Sequence, residues 1–548
     1  MKKQYSLLII ILALAAVIRL FQLNTLPISL SGDEIDIGYQ AYSLIKTGRD
    51  YFGNFLPVYF HSLSEYRMPA LVYLTAPITA LFGLSAFSVR ILPSLFGIAN
   101  VFQIYLLVKT LFRDQKQKFT LALFAALILT ILPWHLHYSR AAFDVTLQMF
   151  VILSGLLILL RGNLLGFSLL AFSFYIYPTS VVFVPLLCAA YFVIYKPQIR
   201  RSLIIPALIL VPFVFNLFSG ISGQRFGGLS VLNDSKIFEK IVTLRTEPWA
   251  IPGFSESFFH NKIEGISSAF IQNYVSAFSP EFLFISGDPN FRQSIGGFGE
   301  FYLISTPFLL LGLYWCFQNR TQKPVRFIIS WLIVSPIAAA LTRDGGMHAT
   351  RLFPILFPLV IITALGVWQI VSLKNKVTRY SVLGISFLIL IVSFTLYSHH
   401  YLVHYRFESA RAWQYGYEDI FRQLSQVPPA DRRVFINNVY EPALIRFAFY
   451  TSYPPSDFQK YFTNDLAKHD IVPGFFGFTL DNRYYFGEME KGVSIDKILK
   501  PEDIYLAVQL FEADGDWDWS VSPPQTLKIL GSTKNVFKKP LFYLVTPK

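Results

Sequence analysis

Acids and arginines gather at a few points of this sequence in patterns that could do chemistry. Asp33, Glu34 and Asp36 follow Ser31-Gly32 and open a stretch of helical periodicity (Ile37, Tyr39, Ala41, Leu44) that runs to Lys46. Carboxylates suit a helix start: Asp33 can cap it, and Glu34 and Asp36 favour its dipole. The same acids could serve as a general base at a membrane surface, or as cation ligands. No His or further acid follows at ligand spacing. A divalent cation is therefore compatible with these residues but not required by them, and no metal site is assigned.

Downstream, Glu65-Tyr66-Arg67-Met68-Pro69 places a basic residue just before an apolar run, as a headgroup anchor or an anion contact. The segment Trp134 to Asp144 holds His135, His137, Arg140 and Asp144. The two histidines face opposite ways if the chain is extended, which argues against joint metal binding. Arg140 and Asp144 have the i, i+4 spacing of a helical ion pair. Further on, His348 and Arg351 fall i, i+3 on the first turn of another helix. An Arg there opposes the helix dipole and needs an anionic partner, for which a phosphate would serve.

The segments that must position these residues are overwhelmingly apolar. Of 548 residues 53% are hydrophobic and only 15% charged, with mean hydropathy +0.46. Soluble proteins carry roughly a quarter charged residues. These values exclude soluble, disordered, collagenous and disulfide-rich classes and leave a polytopic α-helical membrane protein. The net charge of +13 would suggest nucleic acid in a soluble protein. Here the basic residues sit in short loops between apolar runs and report topology, so no nucleic-acid partner is expected. Cys188 and Cys316 lie inside apolar runs and read as small buried hydrophobes.

Runs of spanning length occur near 5–23, 88–110, 117–133, 144–161, 202–218, 301–318, 326–342, 352–372 and 379–397. A further stretch between Arg161 and Lys196 is broken in two at Tyr177-Pro178-Thr179. Basic clusters (Lys2-Lys3, Lys109–Lys118, Arg161, Lys196-Arg200-Arg201, Arg320–Arg326, Lys374–Arg379) mark the inner side. The count is about eleven spans, with the N-terminus cytoplasmic and the C-terminus outside. The first span reads as a retained signal anchor, with Arg19 snorkelling to the outer interface. The run 69–85, interrupted by Pro77, reads as an interfacial or re-entrant helix.

This divides the chain into a transmembrane domain, 1–397, with outer loops 24–67, 134–143, 219–300 and 343–351, and a soluble outer α/β domain, 398–548. In the latter, Arg433–Ile436 and Ile504–Val508 look strand-like, Pro454-Pro455 looks like a turn, and Glu512, Asp514, Asp516 and Asp518 form an acidic cluster. On this topology Asp33, Glu34, Arg67, Arg140, Asp144, His348 and Arg351 share one membrane face. Acids to take a proton and arginines to hold a phosphate, at headgroup depth, suit an enzyme with a lipid-phosphate-linked substrate. A transporter would put ionisable groups near mid-bilayer. A lipid-linked oligosaccharide polymerase or ligase, or a non-catalytic envelope assembly or transport protein, is the alternative reading.

Several motifs resemble those of GT-C glycosyltransferases of family 39, the group of protein O-mannosyltransferases and lipid A aminoarabinose transferases. They are Gly32-Asp33-Glu34 with Tyr39 after the first span, Gly48-Arg49-Asp50, and Arg67-Met68-Pro69. Leu81-Phe82-Gly83 with Ser88 to Gly97, and Tyr138-Ser139-Arg140 with Asp144, complete the likeness over about the first 160 residues. Gly296 to Gly299 and His348 with Arg351 match more loosely. The resemblance implies inverting transfer of a sugar from a polyprenyl-phosphate donor to a lipid, glycan or protein acceptor, on the outer face of the inner (plasma) membrane. It implies catalytic roles for Asp33, as base or orienting acid, Glu34 and Asp144, with Arg67, Arg140, His348 and Arg351 near the donor phosphate. Family members often carry Lys beside the Pro where this chain has Arg67-Met68-Pro69. A phosphate leaving group needs no proton, so arginines could suffice without metal.

Overall fold

In hydrocarbon every backbone N–H and C=O must find a partner within its own segment, so apolar runs become helices wherever the sequence lets a helix persist. The computed structural model describes residues 2–63, 66–198, 203–218, 230–247, 258–427, 432–438, 440–462, 469–490, 493, 495–509 and 518–548. Glu65, Arg200, Arg201, Glu512, Asp514, Asp516 and two parts of the long loop, 219–229 and 248–257, lie outside the described residues. Two compact units result. One comprises Met1–Phe21 and Pro93–Tyr401, the other Gln22–Leu92 and Leu402–Lys548. The expected division at 397/398 parts lipid-embedded from soluble chain and is a different partition.

Among the described residues, four helices are long and apolar enough to cross a membrane: Ala86–Leu111, Lys323–Ala340, Ala349–Val371 and Lys376–Glu408. This corrects the expected eleven. Most of the other apolar runs form helices of 10–17 residues, such as Lys118–Ile131, Asp144–Leu160 and Ser180–Tyr195. Fourteen residues rise about 21 Å, against a hydrocarbon core of ~30 Å. The shortening has local causes. Pro133 ends the Lys118–Ile131 helix, because the residue before a proline avoids helical geometry and Leu132 is extended at ψ 126°. The run after Arg161 breaks into Gly166–Phe172, a 3₁₀ turn at Ser173–Tyr175, and Ser180–Tyr195. The 69–85 run becomes the 14-residue helix Pro69–Phe82.

In the first unit the helices Ser305–Gln318 and Leu356–Val371 approach through Gly312 and Gly366. A Cβ on Gly312 would strike the Ile362 carbonyl, and one on Gly366 the Phe308 carbonyl. Small residues substitute for a hydrophobic driving force that lipid does not supply between helices. Arg19 does not snorkel. It is fully buried and donates to the carbonyls of Thr130 (3.1 Å) and Leu129 (3.3 Å), the end of the Lys118–Ile131 helix, with His135 Nδ1 at 2.8 Å. A cation at a helix C-terminus meets the negative end of the dipole.

The second unit contains a small antiparallel pair, β1 (Phe60–His61) with β2 (Tyr66–Arg67), and a seven-stranded mixed sheet. The sheet strands are β3 (Val434–Asn437), β4 (His469–Val472), β5 (Phe475–Leu480), β6 (Tyr484–Met489), β7 (Ile504–Val508), β8 (Leu527–Lys534) and β9 (Pro540–Pro547), in the order β4-β5-β6-β3-β7-β9-β8. Both strand-like segments read from the sequence are strands, and β3 lies parallel to β6 and β7. Their continuous burial reflects cover on both faces. Phe435, Phe475, Tyr505 and Tyr543 pack with Trp519 on one side. Aromatics of the helices Tyr417–Gln426 and Leu444–Tyr450 meet sheet residues such as Phe486 and Phe542. Pro454-Pro455 begins the helix Pro455–Tyr461 instead of a turn, since a proline ring fits the first helical position.

Candidate active site

The sequence Ser31-Gly32-Asp33-Glu34 builds a helix start that aims Asp33 outward. Ser31, not Asp33, is the N-cap of the helix Gly32–Thr47. Its hydroxyl accepts the Glu34 N–H, and Glu34 Oε2 accepts the Ser31 N–H at 3.0 Å, a capping box. Glu34 is buried and also meets Arg90, whose Nε donates to Oε1 at 2.8 Å and whose Nη2 donates to Oε2 at 3.1 Å. The remaining donors of Arg90 reach the carbonyls of Pro27 and Ser29 at 2.8 and 2.5 Å. Arg90 thus fixes the approach to the helix at several points while Glu34 neutralises it. Gly32 has no positive φ. Its value is space, because a Cβ there would sit 3.1 Å from the Arg446 guanidinium.

Asp33 and Asp36, i and i+3, lie on one helix face. Arg67 on β2 bridges them: its Nη2 donates to Asp33 Oδ1 at 2.5 Å, and its Nε is ion-paired with Asp36 Oδ2. The three differ in exposure. Asp33 is 53% exposed, Arg67 12% and Asp36 5%. Asp36 also accepts the hydroxyls of Tyr51 (2.7 Å) and Ser62 (3.2 Å). Burial raises its carboxyl above the ordinary range, and the Arg67 charge works against that rise. The neighbouring Gly48-Arg49-Asp50 motif is a turn: Gly48 ends the helix at φ 68°, and Asp50 Oδ1 accepts the N–H groups of Phe52 and Asn54.

The first unit holds the other expected residues. Arg140 is buried, and its guanidinium donates to the carbonyls of Ile18, Arg19 and Phe21 at 2.7–3.0 Å and to the Tyr401 hydroxyl at 3.2 Å. These bonds cap the end of the first helix. His135 and His137 lie on the helix Pro133–Tyr138 and are engaged separately, His135 with Arg19 and His137 Nε2 with the Arg292 carbonyl at 2.7 Å. Asp144 is half-buried in the first turn of Asp144–Leu160.

Arg351 donates to Thr342 Oγ1 at 2.7 Å. The anionic neighbour that its position demands is Asp288, which sequence reasoning missed. Asp288 Oδ2 accepts the Ala349 N–H at 2.8 Å, capping the helix that carries Arg351, and Oδ1 accepts the Asn290 N–H. Burial pushes its carboxyl up to about 6, while the charges of Arg351 and Arg292 pull it down. Buried Glu300 accepts the Asp288 N–H at 3.2 Å and is itself raised by burial and by Asp288. Burial, with Arg351, holds His348 down at about 3, so it is a neutral imidazole at pH 7. The only sequence sign of this cluster is the Gly287-Asp288-Pro289-Asn290 turn.

The first unit also has an apolar cavity of 460 Å³ lined by residues including Phe124, Ile128, Phe308, Leu383, Phe387 and Leu390. Among the described residues no three His, Cys, Asp or Glu side chains gather where a metal ion could be held. Asp33 and Asp36 share the Arg67 cation.

The structure is similar to that of ArnT from Cupriavidus metallidurans bound to undecaprenyl phosphate, with a TM-score of 0.51 over 98% of this chain and 97% of that one at 13% identity. The same figures hold for ArnT in the apo state. The fold is GT-C. An oligosaccharyltransferase from Archaeoglobus fulgidus, solved in complex with Zn and sulfate, gives a TM-score of 0.46 at 14% identity over 81% of this chain. This chain covers 61% of that protein's length. No protein-family model matches the chain, and no curated protein matches it by sequence.

Proposed function

We propose that this chain is an inverting membrane glycosyltransferase of the family 39 kind, transferring a sugar from a polyprenyl-phosphate donor to a lipid, glycan or protein acceptor at the outer face of the inner membrane. The observation that carries the reading is the half-exposed Asp33, held at a helix start by the largely buried Arg67. A hydroxyl acceptor is a poor nucleophile at neutral pH, and a positioned carboxylate that takes its proton contributes roughly 10²–10⁴-fold. Asp33 accepts that proton as the acceptor oxygen bonds to the anomeric carbon and the bond from that carbon to the phosphate oxygen breaks. The departing phosphate keeps the electron pair and needs no proton.

Glu34 acts through Arg90 and the capping box as a positioning residue. Arg67 and Arg351 are proposed for the donor phosphate, with neutral His348 as a hydrogen-bonding neighbour of the latter, and Asp144 remains a candidate acid. Arg140 is proposed to act through the end of the first helix. The apolar cavity supports a hydrocarbon-tailed donor, as does the occupancy of ArnT by undecaprenyl phosphate. The test is transfer of a radiolabelled sugar from polyprenyl phosphate in membranes. Asp33→Asn is expected to abolish it while donor binding and thermal stability persist. Near-normal turnover by a folded Asp33→Asn protein removes Asp33 from the mechanism.

A further inference from the structure

We propose that the carboxy-terminal sheet carries a separate binding pocket for an anionic saccharide, built around Arg432 and Arg483. The pocket is a 260 Å³ cavity at the amino ends of three parallel strands. Val434, Tyr484 and Ile504, which line it, are register partners in β3, β6 and β7. The carboxyl ends of the helices Tyr417–Gln426 and Leu444–Tyr450 close it through Leu424, Ser425, Phe447 and Thr451.

Three observations point to a ligand. First, Arg432 and Arg483 both face this cavity, and each has a buried Nε with no hydrogen-bond partner among the described residues. Arg406 and Arg446 of the same unit share an unmatched Nε, so what sets Arg432 and Arg483 apart is that the two line one cavity, while Arg433 is ion-paired with Asp503 and Arg422 donates to Glu418 at 2.6 Å. A buried guanidinium donor without an acceptor is costly, and like charges around one cavity repel. Second, the acid two residues before Arg483 makes other contacts. Asp481 accepts the Tyr453 hydroxyl at 2.7 Å and the Arg483 backbone N–H at 3.1 Å. Third, the walls combine aromatic faces with hydroxyls. The rings of Phe447, Tyr453 and Tyr484 stand beside Ser425 and Thr451, and the Arg483 guanidinium lies 5.1 Å over the Tyr484 ring.

Planar guanidinium forks match carboxylate or phosphate oxygens, and the aromatic faces match the C–H face of a sugar ring. The cavity is somewhat smaller than the roughly 300–1,000 Å³ typical of drug-sized ligands, which fits one acidic sugar unit and not an oligosaccharide. The shared chemistry is a ring bearing a carboxylate or phosphate, whether free or at the end of a glycan.

The experiment is calorimetric titration of the full-length protein in detergent micelles with glucuronate, glucose and inorganic phosphate. Glucuronate is expected to bind saturably and glucose at least tenfold more weakly. The double variant Arg432→Gln, Arg483→Gln should lose at least tenfold in glucuronate affinity at an unchanged melting temperature. If that variant does not fold, Arg432→Lys and Arg483→Lys keep the charge but remove the fork, and each should weaken glucuronate severalfold. Asp33→Asn should bind glucuronate normally, so the pocket and the transfer chemistry stand or fall separately. Equal affinity for glucose, binding of phosphate without glucuronate, no saturable binding, or full affinity in the lysine variants overturns the proposal.

Discussion

Asp33 and Arg67 are in short contact and differ in exposure, the arginine being the more buried. Replacing Arg67 by Gln should weaken polyprenyl-phosphate affinity, and adding Arg351→Gln should weaken it further. Unchanged lipid-phosphate affinity in the double variant would count decisively against the phosphate assignment. Arg90 behaves differently, because it and Glu34 are both buried. Arg90→Gln leaves the Glu34 carboxylate without its counter-charge, and losing one partner of a buried pair costs about 3–5 kcal/mol. A fall in thermal midpoint should therefore accompany any loss of activity. A variant as stable as the parent would show that the pair is dispensable. Asp288 supplies a pH signature. Its folded-state carboxyl titrates at about 6 against an ordinary 3.8, so between these values the folded chain holds a proton that the unfolded chain has lost. That contribution to stability is fully present below pH ~4 and disappears as pH rises through 6, a change of at most about 3 kcal/mol. The melting temperature of the parent relative to Asp288→Asn should fall from pH 4 to 6.5 and then level. A difference that is flat or rises over this range would refute the assignment.

Helix pairs and helix ends decide where such side chains can stand. Gly312 and Gly366 let two helices approach until their backbones nearly touch. Gly366→Leu should cost more than the usual 1–3 kcal/mol of overpacking, because a carbonyl and not a movable side chain blocks the new atoms. Thermal unfolding in detergent, with Gly384→Leu as the control in open space, would measure this. An equal effect of the two substitutions would mean the close approach is absent. The same sites show what periodicity can and cannot reveal. The Gly32–Thr47 helix was legible from its apolar spacing, and the i, i+3 relation of Asp33 and Asp36 could have been read there. Arg67 as their bridge could not, since it arrives on β2, 31 residues after Asp36 in sequence.

Taken as a whole, the chain is predicted to place its carboxy-terminal sheet and Asp33 on the outer side. Cysteine substitutions at exposed positions such as Val521 and Phe537 should react with an impermeant reagent in intact cells. Labelling only after lysis would reverse the orientation. Composition alone determined that this chain belongs in lipid, because 15% charged residues do not suffice to cover a soluble surface. Local sequence also determined the strands β3 and β7, which are continuous, largely apolar runs, and the start of the Asp33 helix, although the cap is Ser31 with Glu34 and not the expected Asp33. Tertiary structure decided the rest. It holds four helices of spanning length among the described residues, the runs read as eleven spans being cut by their own prolines and turns. It turned Arg19 and Arg140 inward to cap helix ends, and it brought Asp288 to the helix of Arg351 across 61 residues. A charged side chain takes whichever partner the packed fold brings to it, and partners distant in sequence leave no mark in local spacing.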